Sequence, residues 1–260
     1  MGDLYDTLRQ AIIAERPVAT ATLIAVPDGS LLTPIGAKLL IWPDGRTQGT
    51  LGDAGFDVRV RDDAITLLER SATRIIDYAD PPRSRLSEKA PVAVDPLTAT
   101  VFIESFVPAP TLFIVGAVHI AIALVSLAKV LGFRTVVIDA RTSFATRERF
   151  PHADELIAAW PDEALVGRLT NNSYVTVLTH DPKLDDPALS AALASPARYI
   201  GALGSNATHV RRLQRLQAAG LSAEQVSRIH GPIGLAIGAR TPEEIALSIL
   251  AEMIKVKREA

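Results

Sequence analysis

The segment Pro110-Thr-Leu-Phe-Ile-Val-Gly116-Ala-Val-His119-Ile-Ala121 decides the fold of the chain. Its first half is a short apolar run, typical of a strand buried on both faces, and its second half begins an apolar helix. Between them, Gly116 permits the tight turn that directs a helix N-terminus at a ligand phosphate. Asp139 follows 23 residues later, where a dinucleotide-binding fold places the acid that bonds a ribose hydroxyl. This order predicts a nucleotide-binding fold.

Strands and helices alternate from this segment to the end of the sequence. The predicted strands cover residues 112–115, 135–138, 174–179 and 198–200, and the predicted helices cover 118–131, 184–194, 206–219 and 242–257. Such alternation is typical of a parallel sheet flanked by helices. We therefore predict an α/β domain over residues 108–260.

The sequence before this domain has a different character. It predicts an amphipathic helix over 3–15, strands over 17–26 and 36–42, a helix over 54–70, a strand over 73–78, a loop over 80–91 and a strand over 98–106. The turns Pro27-Asp-Gly-Ser30 and Pro43-Asp-Gly-Arg46 predict two antiparallel hairpins. Pro108 and Pro110 indicate a boundary near residue 107. A smaller α+β domain over residues 1–107 is the expectation.

Composition excludes several classes of function. The 260 residues include 0 cysteines, which excludes disulfides, thiolate metal sites and a cysteine nucleophile. A net charge of −2 without a long basic run argues against nucleic acid as a partner. No signal peptide and no apolar stretch of membrane-spanning length is evident, so we expect a cytoplasmic protein without a membrane span.

Polar side chains follow the predicted strands at the edge where parallel sheets bind ligands. His119 either contacts a phosphate or transfers a proton, since its pKa lies near neutrality, or it is only a polar cap at the sheet edge. Asp139 and Arg141 form either an exposed ion pair or a carboxylate and a guanidinium that face a polar ligand. His180 and Asp181 are either an acid–base pair or an ordinary Asp-Pro turn.

Two glycine-containing segments precede later helices. Gly201 and Gly204 lead to Ser205, a natural N-cap, so this segment is either an anion cradle or a well-capped connection. It is not a P-loop, because the Gly-Lys-Ser/Thr ending is missing. Gly231 and Gly234 lie before the last helix, in a segment that forms either a lid over the sheet edge or a purely structural loop.

Several segments occur in an order and spacing that is specific when they are taken together. They are Leu131-Gly-Phe133, Asp139-Ala-Arg141, Arg149-Phe-Pro151, Tyr199-Ile-Gly-Ala-Leu-Gly-Ser205, Gly231-Pro-Ile-Gly-Leu235 and Thr241-Pro-Glu-Glu-Ile-Ala-Leu-Ser-Ile-Leu-Ala-Glu252, with Gly29-Ser30, Gly36-Ala-Lys38 and Gly45 near the N-terminus. In these segments the chain resembles the XdhC/CoxI family, accessory proteins for xanthine dehydrogenase and related molybdenum hydroxylases. The resemblance covers nearly the whole chain.

The resemblance implies a small N-terminal domain, a Rossmann-like second domain and a homodimer. It implies a protein that binds molybdenum cofactor as cargo, protects it while a cysteine desulfurase makes its sulfurated form, and delivers it to a xanthine dehydrogenase-type molybdenum hydroxylase. On this interpretation the pterin and its phosphate lie against Gly116, His119, Asp139, Arg141, Gly201, Gly204, Ser205, Gly231 and Gly234. No catalytic residue and no protein metal site are expected.

The chain departs from the family pattern at three places. Val118 replaces the second glycine of the usual Gly-Ala-Gly-His segment, and its branched side chain disfavours a close approach of the backbone to a pyrophosphate. Gly52-Asp53-Ala54 replaces a Gly-Gly-Cys segment, and Ala236 stands where an acid is common. Handling of the cofactor through a cysteine is therefore impossible in this chain.

Two other hypotheses stay open. An NAD(P)-dependent oxidoreductase would use Asp139 for the ribose and His119 or His180 for proton transfer. A ligand-free assembly or regulatory partner would keep the fold and the interfaces without binding the cofactor.

Overall fold

A computed structural model describes residues 4–27, 30, 32, 34–79 and 98–259 of the chain. The chain divides into two compact units, Met1–Pro108 and Ala109–Ala260. Two of the sequence predictions, the turn at Asp28-Gly29 and the loop over 80–91, lie outside the described residues.

The first unit contains an antiparallel sheet. Its elements are α1 (Leu4–Ile13), β1 (Val18–Ala25), β2 (Lys38–Ile41), β3 (Thr47–Gly49), α2 (Ala54–Glu69), β4 (Arg74–Ala79) and β5 (Thr98–Phe106). The strand order is β3-β2-β1-β5-β4, with every neighbouring pair antiparallel. The predicted hairpin at Asp44-Gly45 joins β2 to β3, and the carboxylate of Asp44 accepts a 3.1 Å hydrogen bond from the N–H of Arg46.

The sheet of this unit shares a hydrophobic core with α2. Ala21 and Leu23, which alternate along β1, contribute to the same buried cluster as Phe56 and Val60 of the helix. The helix begins after Asp53, whose carboxylate caps it by accepting the N–H of Phe56 at 2.8 Å. A sheet with a helix over it is the smaller α+β unit that the sequence predicts.

The second unit contains a parallel sheet. Its elements are β6 (Thr111–Val115), α3 (His119–Val130), β7 (Arg134–Ile138), β8 (Glu155–Ile157), α4 (Pro161–Leu165), β9 (Ser173–Val177), α5 (Pro182–Leu193), β10 (Tyr199–Ala202), α6 (Asn206–Ala218), α7 (Ala223–Ser227), β11 (Ile229–His230) and α8 (Pro242–Glu259). The strand order is β11-β10-β9-β6-β7-β8, and all neighbours are parallel. This is the strand order of a dinucleotide-binding sheet, and the predicted fold class is confirmed. In the described part of the chain, no helix combines the length and the apolar character needed to cross a membrane.

Helices cover both faces of this sheet. Leu112 and Ile114 of β6 pack in one cluster, which includes residues of α3 and α8. Phe113 and Val115 pack in a second cluster, which includes residues of α4, α5, α6 and α7. Successive side chains of a strand point to opposite faces, so a strand with a core on each side must be apolar at every position. This is why the deciding segment is a continuous apolar run.

The structure adds elements that the sequence analysis did not predict. Strands β8 and β11 have three and two residues, and helices α4 and α7 have five each. Elements this short contain too few residues for an apolar period to appear, and β8 and β11 form at the sheet edges by pairing with β7 and β10. Strand β9 also ends at Val177 rather than at the predicted Thr179.

Candidate functional site

A cleft lies at the carboxyl ends of β6 and β9, in the middle of the second sheet. Strand β6 has β7 on one side and β9 on the other, so the chain reverses its direction of winding at this point. Ligands of open α/β sheets bind in the crevice that such a reversal creates. The cleft has a volume of about 460 Å³ and is lined by Val118, Arg141, Leu178, Thr179, His180, Asp181, Pro182 and Leu184.

The turn at Gly116 joins β6 to the helix at the cleft. Its φ of +103° favours glycine, and a Cβ atom there would lie 2.6 Å from Cγ2 of Thr179. Helix α3 begins at His119, whose side chain is exposed but does not line the cleft. Val118 is the N-cap residue and makes no side-chain hydrogen bond to the helix. The N–H of Ala121 donates to the carbonyl of Val118 at 3.0 Å, so the peptide N–H groups at the start of α3 that lack an intrahelical acceptor are those of His119 and Ile120. Val118 gives these two groups no side-chain cap.

Asp139 is buried, and both of its carboxylate oxygens accept hydrogen bonds from neighbouring groups of the protein. Oδ2 accepts the N–H of Ala117 at 2.9 Å, and Oδ1 accepts the N–H of Arg141 at 2.9 Å. The Arg141 guanidinium adds two bonds, Nε to Oδ1 at 2.9 Å and Nη2 to Oδ2 at 2.8 Å. Burial alone would raise the pKa of Asp139, but these hydrogen bonds outweigh it and lower the pKa. The carboxylate thus fixes the Gly116 turn instead of facing a ribose.

Arg141 presents a fixed guanidinium at the rim of the cleft. The bidentate contact with Asp139 holds one edge of the group, and the ring of Phe144 lies 4.0 Å from its carbon. The hydrogen bond to Asp139 raises the pKa of Arg141, and the charge of Asp181 acts in the same direction. About half of the side chain is exposed, so the ion pair is half-buried and its cation is accessible from the cleft.

His180 and Asp181 also line the cleft, but Asp181 has a structural role. It is the N-cap of α5 and accepts the N–H of Lys183 at 3.0 Å. The Asp-Pro segment, for which one interpretation of the sequence predicts an ordinary turn, is therefore the start of α5. No hydrogen bond joins His180 to Asp181 in this part of the structure.

The segment from Gly201 to Ser205 forms the turn from β10 to α6. A Cβ atom on Gly201 would lie 2.6 Å from the side chain of Ile233 and from the hydroxyl of Tyr199, so this glycine allows close packing. Gly204 has a φ of +144° and packs near Thr208. Ser205 caps α6, since its hydroxyl accepts the N–H of Thr208 at 3.2 Å. The predicted cap is present, and the Ser205 side chain is engaged in it.

The glycine-rich segment before α8 is held by hydrogen bonds to its surroundings. Gly234, with a φ of +89°, donates its N–H to Oε2 of Glu252 at 2.8 Å. The buried hydroxyl of Tyr199 donates to the same oxygen at 2.5 Å. At the end of the segment, Thr241 and Glu244 form reciprocal bonds at the start of α8, and the sequence predicted this start.

Two groups of polar residues near these segments were missed by the sequence analysis. In the first, His230 stacks on Tyr199 with ring centroids 4.6 Å apart, and its Nδ1 lies 3.4 Å from Oε1 of Glu252. In the second, Asp185 of α5 and Arg212 of α6 form a buried ion pair. Arg212 follows His209 by one helical turn on the inner face of α6. This spacing is the sequence feature that could have indicated that Arg212 is buried.

The predicted site residues thus fall into two sets. Gly116, Asp139 and Arg141 lie together at the cleft, with His119 at the start of the adjoining helix. Of the other residues, Gly201 lies in β10, Gly204 and Ser205 follow that strand, and Gly231 and Gly234 follow β11. The backbones of this second set are close, because Ile233 donates its N–H to the carbonyl of Ala202 at 3.2 Å.

Known protein families match both parts of the chain. A model described as the XdhC Rossmann domain matches residues 112–253, which is more than half of the chain. A model described as the XdhC and CoxI family matches residues 11–79. The chain belongs to the XdhC and CoxI family. The resemblance that the sequence segments indicated is thereby confirmed.

Relatives of this XdhC and CoxI family member include proteins with and without an assigned role. The chain is 30% identical to the uncharacterized protein YqeB of Escherichia coli (strain K12) over 86% of this chain and 41% of YqeB. It is 35% identical to a probable xanthine dehydrogenase subunit of Bacillus subtilis (strain 168) over 62% of this chain and 47% of that protein. The chain therefore spans less than half the length of these two relatives.

A third relative is similar over most of its own length. The chain is 24% identical to the molybdenum cofactor insertion chaperone PaoD of Escherichia coli (strain K12), over 95% of this chain and 86% of PaoD. A crystal structure of a xanthine dehydrogenase from Bacillus halodurans has a TM-score of 0.54 and 24% identity over 98% of this chain and 95% of that chain. This likeness shows that the two share a fold.

The departures from the XdhC and CoxI pattern have defined places in the structure. Val118 lines the cleft at the start of α3. Ala54, in the position of the family cysteine, is exposed and is the first residue of α2, in the other unit. Ala236 lies in the glycine-rich segment before α8.

Proposed function

We propose that this protein binds molybdenum cofactor as cargo and delivers it to a xanthine dehydrogenase-type molybdenum hydroxylase. The observation that carries the proposal is the similarity to PaoD, named a molybdenum cofactor insertion chaperone, over 95% of this chain. The similarity to a probable xanthine dehydrogenase subunit supports the same class of target.

The cleft between β6 and β9 is the place where we expect the cargo to bind. Its volume of about 460 Å³ lies in the range of ordinary small-molecule sites. The Arg141 guanidinium and the uncapped N–H groups of His119 and Ile120 suit a phosphate group. Leu178 and Leu184 offer apolar walls to a planar ring, and the carboxylate of Asp181 can accept hydrogen bonds from ring N–H groups.

The cargo has to be held without a protein thiolate, because the chain has 0 cysteines. Hydrogen bonds and the Arg141 cation are then the main polar contacts that this unit can supply. The second set of predicted residues, Gly201, Gly204, Ser205, Gly231 and Gly234, is proposed to border the same ligand through its backbone. The cysteine desulfurase partner, the homodimer and the cytoplasmic location stay predictions that rest on the family resemblance.

The alternative of an NAD(P)-dependent oxidoreductase gains no support from the site. Both carboxylate oxygens of Asp139 already accept hydrogen bonds from Ala117 and Arg141, so they are not presented to a ribose. The Val118 side chain lies in the cleft at the position where the fingerprint glycine would admit a pyrophosphate.

The experiment is to purify the full chain from two host strains, one with molybdopterin synthesis and one without it. The pterin released from the protein is then oxidised and measured by its fluorescence. We expect enrichment from the first strain alone, and less of it for Arg141→Met. The matched control is Arg149→Met, because Arg149 also lies over Phe144 but does not line the cleft. If wild-type protein carries no more pterin than an unrelated protein, the chain is not a cofactor carrier, and a ligand-free assembly role becomes the better hypothesis.

A further inference from the structure

A continuous line of polar contacts connects the wall of the cleft to the turn before α6. The hydroxyl of Thr179, in the cleft wall, donates to Oδ1 of Asp185. Oδ2 of Asp185 lies 3.4 Å from Nη2 of Arg212, and this Nη2 donates to the carbonyl of Leu203 at 2.7 Å. The ion pair therefore joins the end of β9, where Thr179 lies beside Gly116, to the end of β10, where Gly204 and Ser205 follow.

Burial of this ion pair between α5 and α6 carries a free-energy cost of desolvation. Only 4% of the Asp185 side chain and 1% of the Arg212 side chain are exposed, so both charges are removed from water. Nε and Nη1 of Arg212 have no hydrogen-bond partner among the described groups. Burial raises the pKa of Asp185, which reflects the same desolvation. Apolar side chains of similar size would remove this desolvation cost, but the Thr179 hydroxyl and the Leu203 carbonyl would lose their hydrogen-bond partners.

The same two helices already share a second ion pair. Arg215 donates to Asp186 from Nε at 2.7 Å and from Nη2 at 2.9 Å, and both side chains are partly exposed. That pair lies one residue beyond Asp185 on α5 and three residues beyond Arg212 on α6. Its two hydrogen bonds are shorter than the 3.4 Å contact between Arg212 and Asp185. Since Arg215 and Asp186 already connect α5 to α6, the buried pair is not needed for that purpose.

We propose that Asp185 and Arg212 are positioning residues, which fix the Leu203–Ser205 turn relative to the cleft wall at Thr179. Through them, the turn and the wall face one ligand in a set geometry. The ligand assigned to this geometry rests on the proposed function, but the positioning itself does not.

The test is a paired replacement in the full chain, Asp185→Leu with Arg212→Met, which removes both buried charges together. The matched control is Asp186→Leu with Arg215→Met, made on the same two helices. Amide hydrogen exchange of the peptide covering residues 199–209 reports on the turn without any ligand. We expect the buried replacement to leave the protein folded and to speed exchange in the turn about tenfold, because the Leu203 carbonyl loses its donor, while the control leaves exchange unchanged. The single variant Arg212→Lys keeps a cation and a donor, so we expect it to keep most of the wild-type protection of the turn from exchange.

The exchange rates decide whether Asp185 and Arg212 have a positioning role. Unchanged exchange in the buried replacement, or equal acceleration in both replacements, would overturn the positioning role. Pterin retention is then measured for the same variants, and we expect it to fall only in the buried replacement. If wild-type protein retains no pterin, the proposed cargo is wrong, while the exchange data still decide the role of Asp185 and Arg212.

Discussion

Asp139 connects the sequence fingerprint to the geometry of the cleft. Its carboxylate accepts the N–H of Ala117, directly after Gly116, and also holds the guanidinium of Arg141. One buried side chain thus fixes both the turn that begins α3 and the cation at the cleft rim. A dinucleotide-binding fold needs this acid for its ligand, whereas here the carboxylate stabilises the protein itself.

The first prediction concerns the pH dependence of this contribution. The pKa of Asp139 is lowered from the ordinary value of 3.8, so its stabilisation is complete above that value and is lost as the pH falls through the lower pKa of the folded state. We expect Asp139→Asn to reduce the free energy of unfolding by about 1–3 kcal/mol at neutral pH, since charge-assisted hydrogen bonds are weakened. Urea unfolding of both proteins, at neutral pH and well below pH 3.8, measures the difference.

The control for this prediction is Asp62→Asn, which removes the surface ion pair of Asp62 with Arg61. A pair of this kind contributes about 0–1 kcal/mol, so we expect little change at either pH. A stability difference for Asp139→Asn that stays constant as the pH falls would contradict the role given to this carboxylate.

The second prediction concerns Val118, which lines the cleft and immediately precedes the N–H groups of His119 and Ile120. Its φ of −88° and ψ of 176° are open to any residue, and glycine is a better N-cap than valine. We expect Val118→Gly to tighten the binding of inorganic pyrophosphate about tenfold, which corresponds to about 1.4 kcal/mol, because the backbone can then approach the anion. Isothermal titration calorimetry of wild-type protein, Val118→Ala and Val118→Gly should give a graded series. Equal affinities in all three would show that no anion approaches α3 at this position.

At the scale of elements, Glu252 of α8 anchors the glycine-rich segment that precedes this helix. Its Oε2 accepts both the Tyr199 hydroxyl and the Gly234 N–H. Burial raises the pKa of Glu252, but bonds from His230, Tyr199 and Gly234 outweigh burial and lower it. The segment is thereby tied to strand β10 and helix α8, which favours the structural interpretation over a freely moving lid.

The third prediction compares two substitutions of this anchor. Glu252→Leu leaves two donors without an acceptor, so we expect it to lower the free energy of unfolding by about 3 kcal/mol. Glu252→Gln keeps an amide oxygen for the same donors and should lower it much less. Hydrogen exchange of residues 231–238 should accelerate in the leucine variant ahead of global unfolding. Similar values for the two variants would mean that side-chain volume, and not the hydrogen bonds, determines the effect.

The elements that the sequence predicts well are those with a local signal. Strand β5 has the predicted bounds, and α8 begins where Pro242 and the acids of its first turn indicate. Strands β8 and β11 escape prediction because pairing with a neighbouring strand creates them, and pairing is not a local property. The site shows the same limit: the sequence places Asp139 and Arg141 at one sheet edge, but it does not tell that Arg212 points inward to meet Asp185.

At the scale of the whole molecule, the sheet of the second unit depends on its central strand. Strand β6 pairs with β7 and β9 and contributes side chains to the core on each face. The two cores draw on all the helices of this unit, so burial there is shared among elements that are distant in sequence. Such a unit should fold as a whole or not at all.

The last prediction is that residues 109–260 fold when they are expressed alone. The unit Ala109–Ala260 has its own sheet and its own two cores, which is the physical requirement for an independent domain. We expect one cooperative thermal transition with a heat-capacity change of about 2 kcal/mol/K, the value usual for a domain of this length. The matched control begins at Leu124 and lacks β6 and the start of α3. That fragment should show no cooperative transition, because the sheet loses the strand that joins its two halves. Calorimetry of both fragments measures this, and a broad, non-cooperative transition in the longer fragment would mean that residues before 109 are needed to complete the fold.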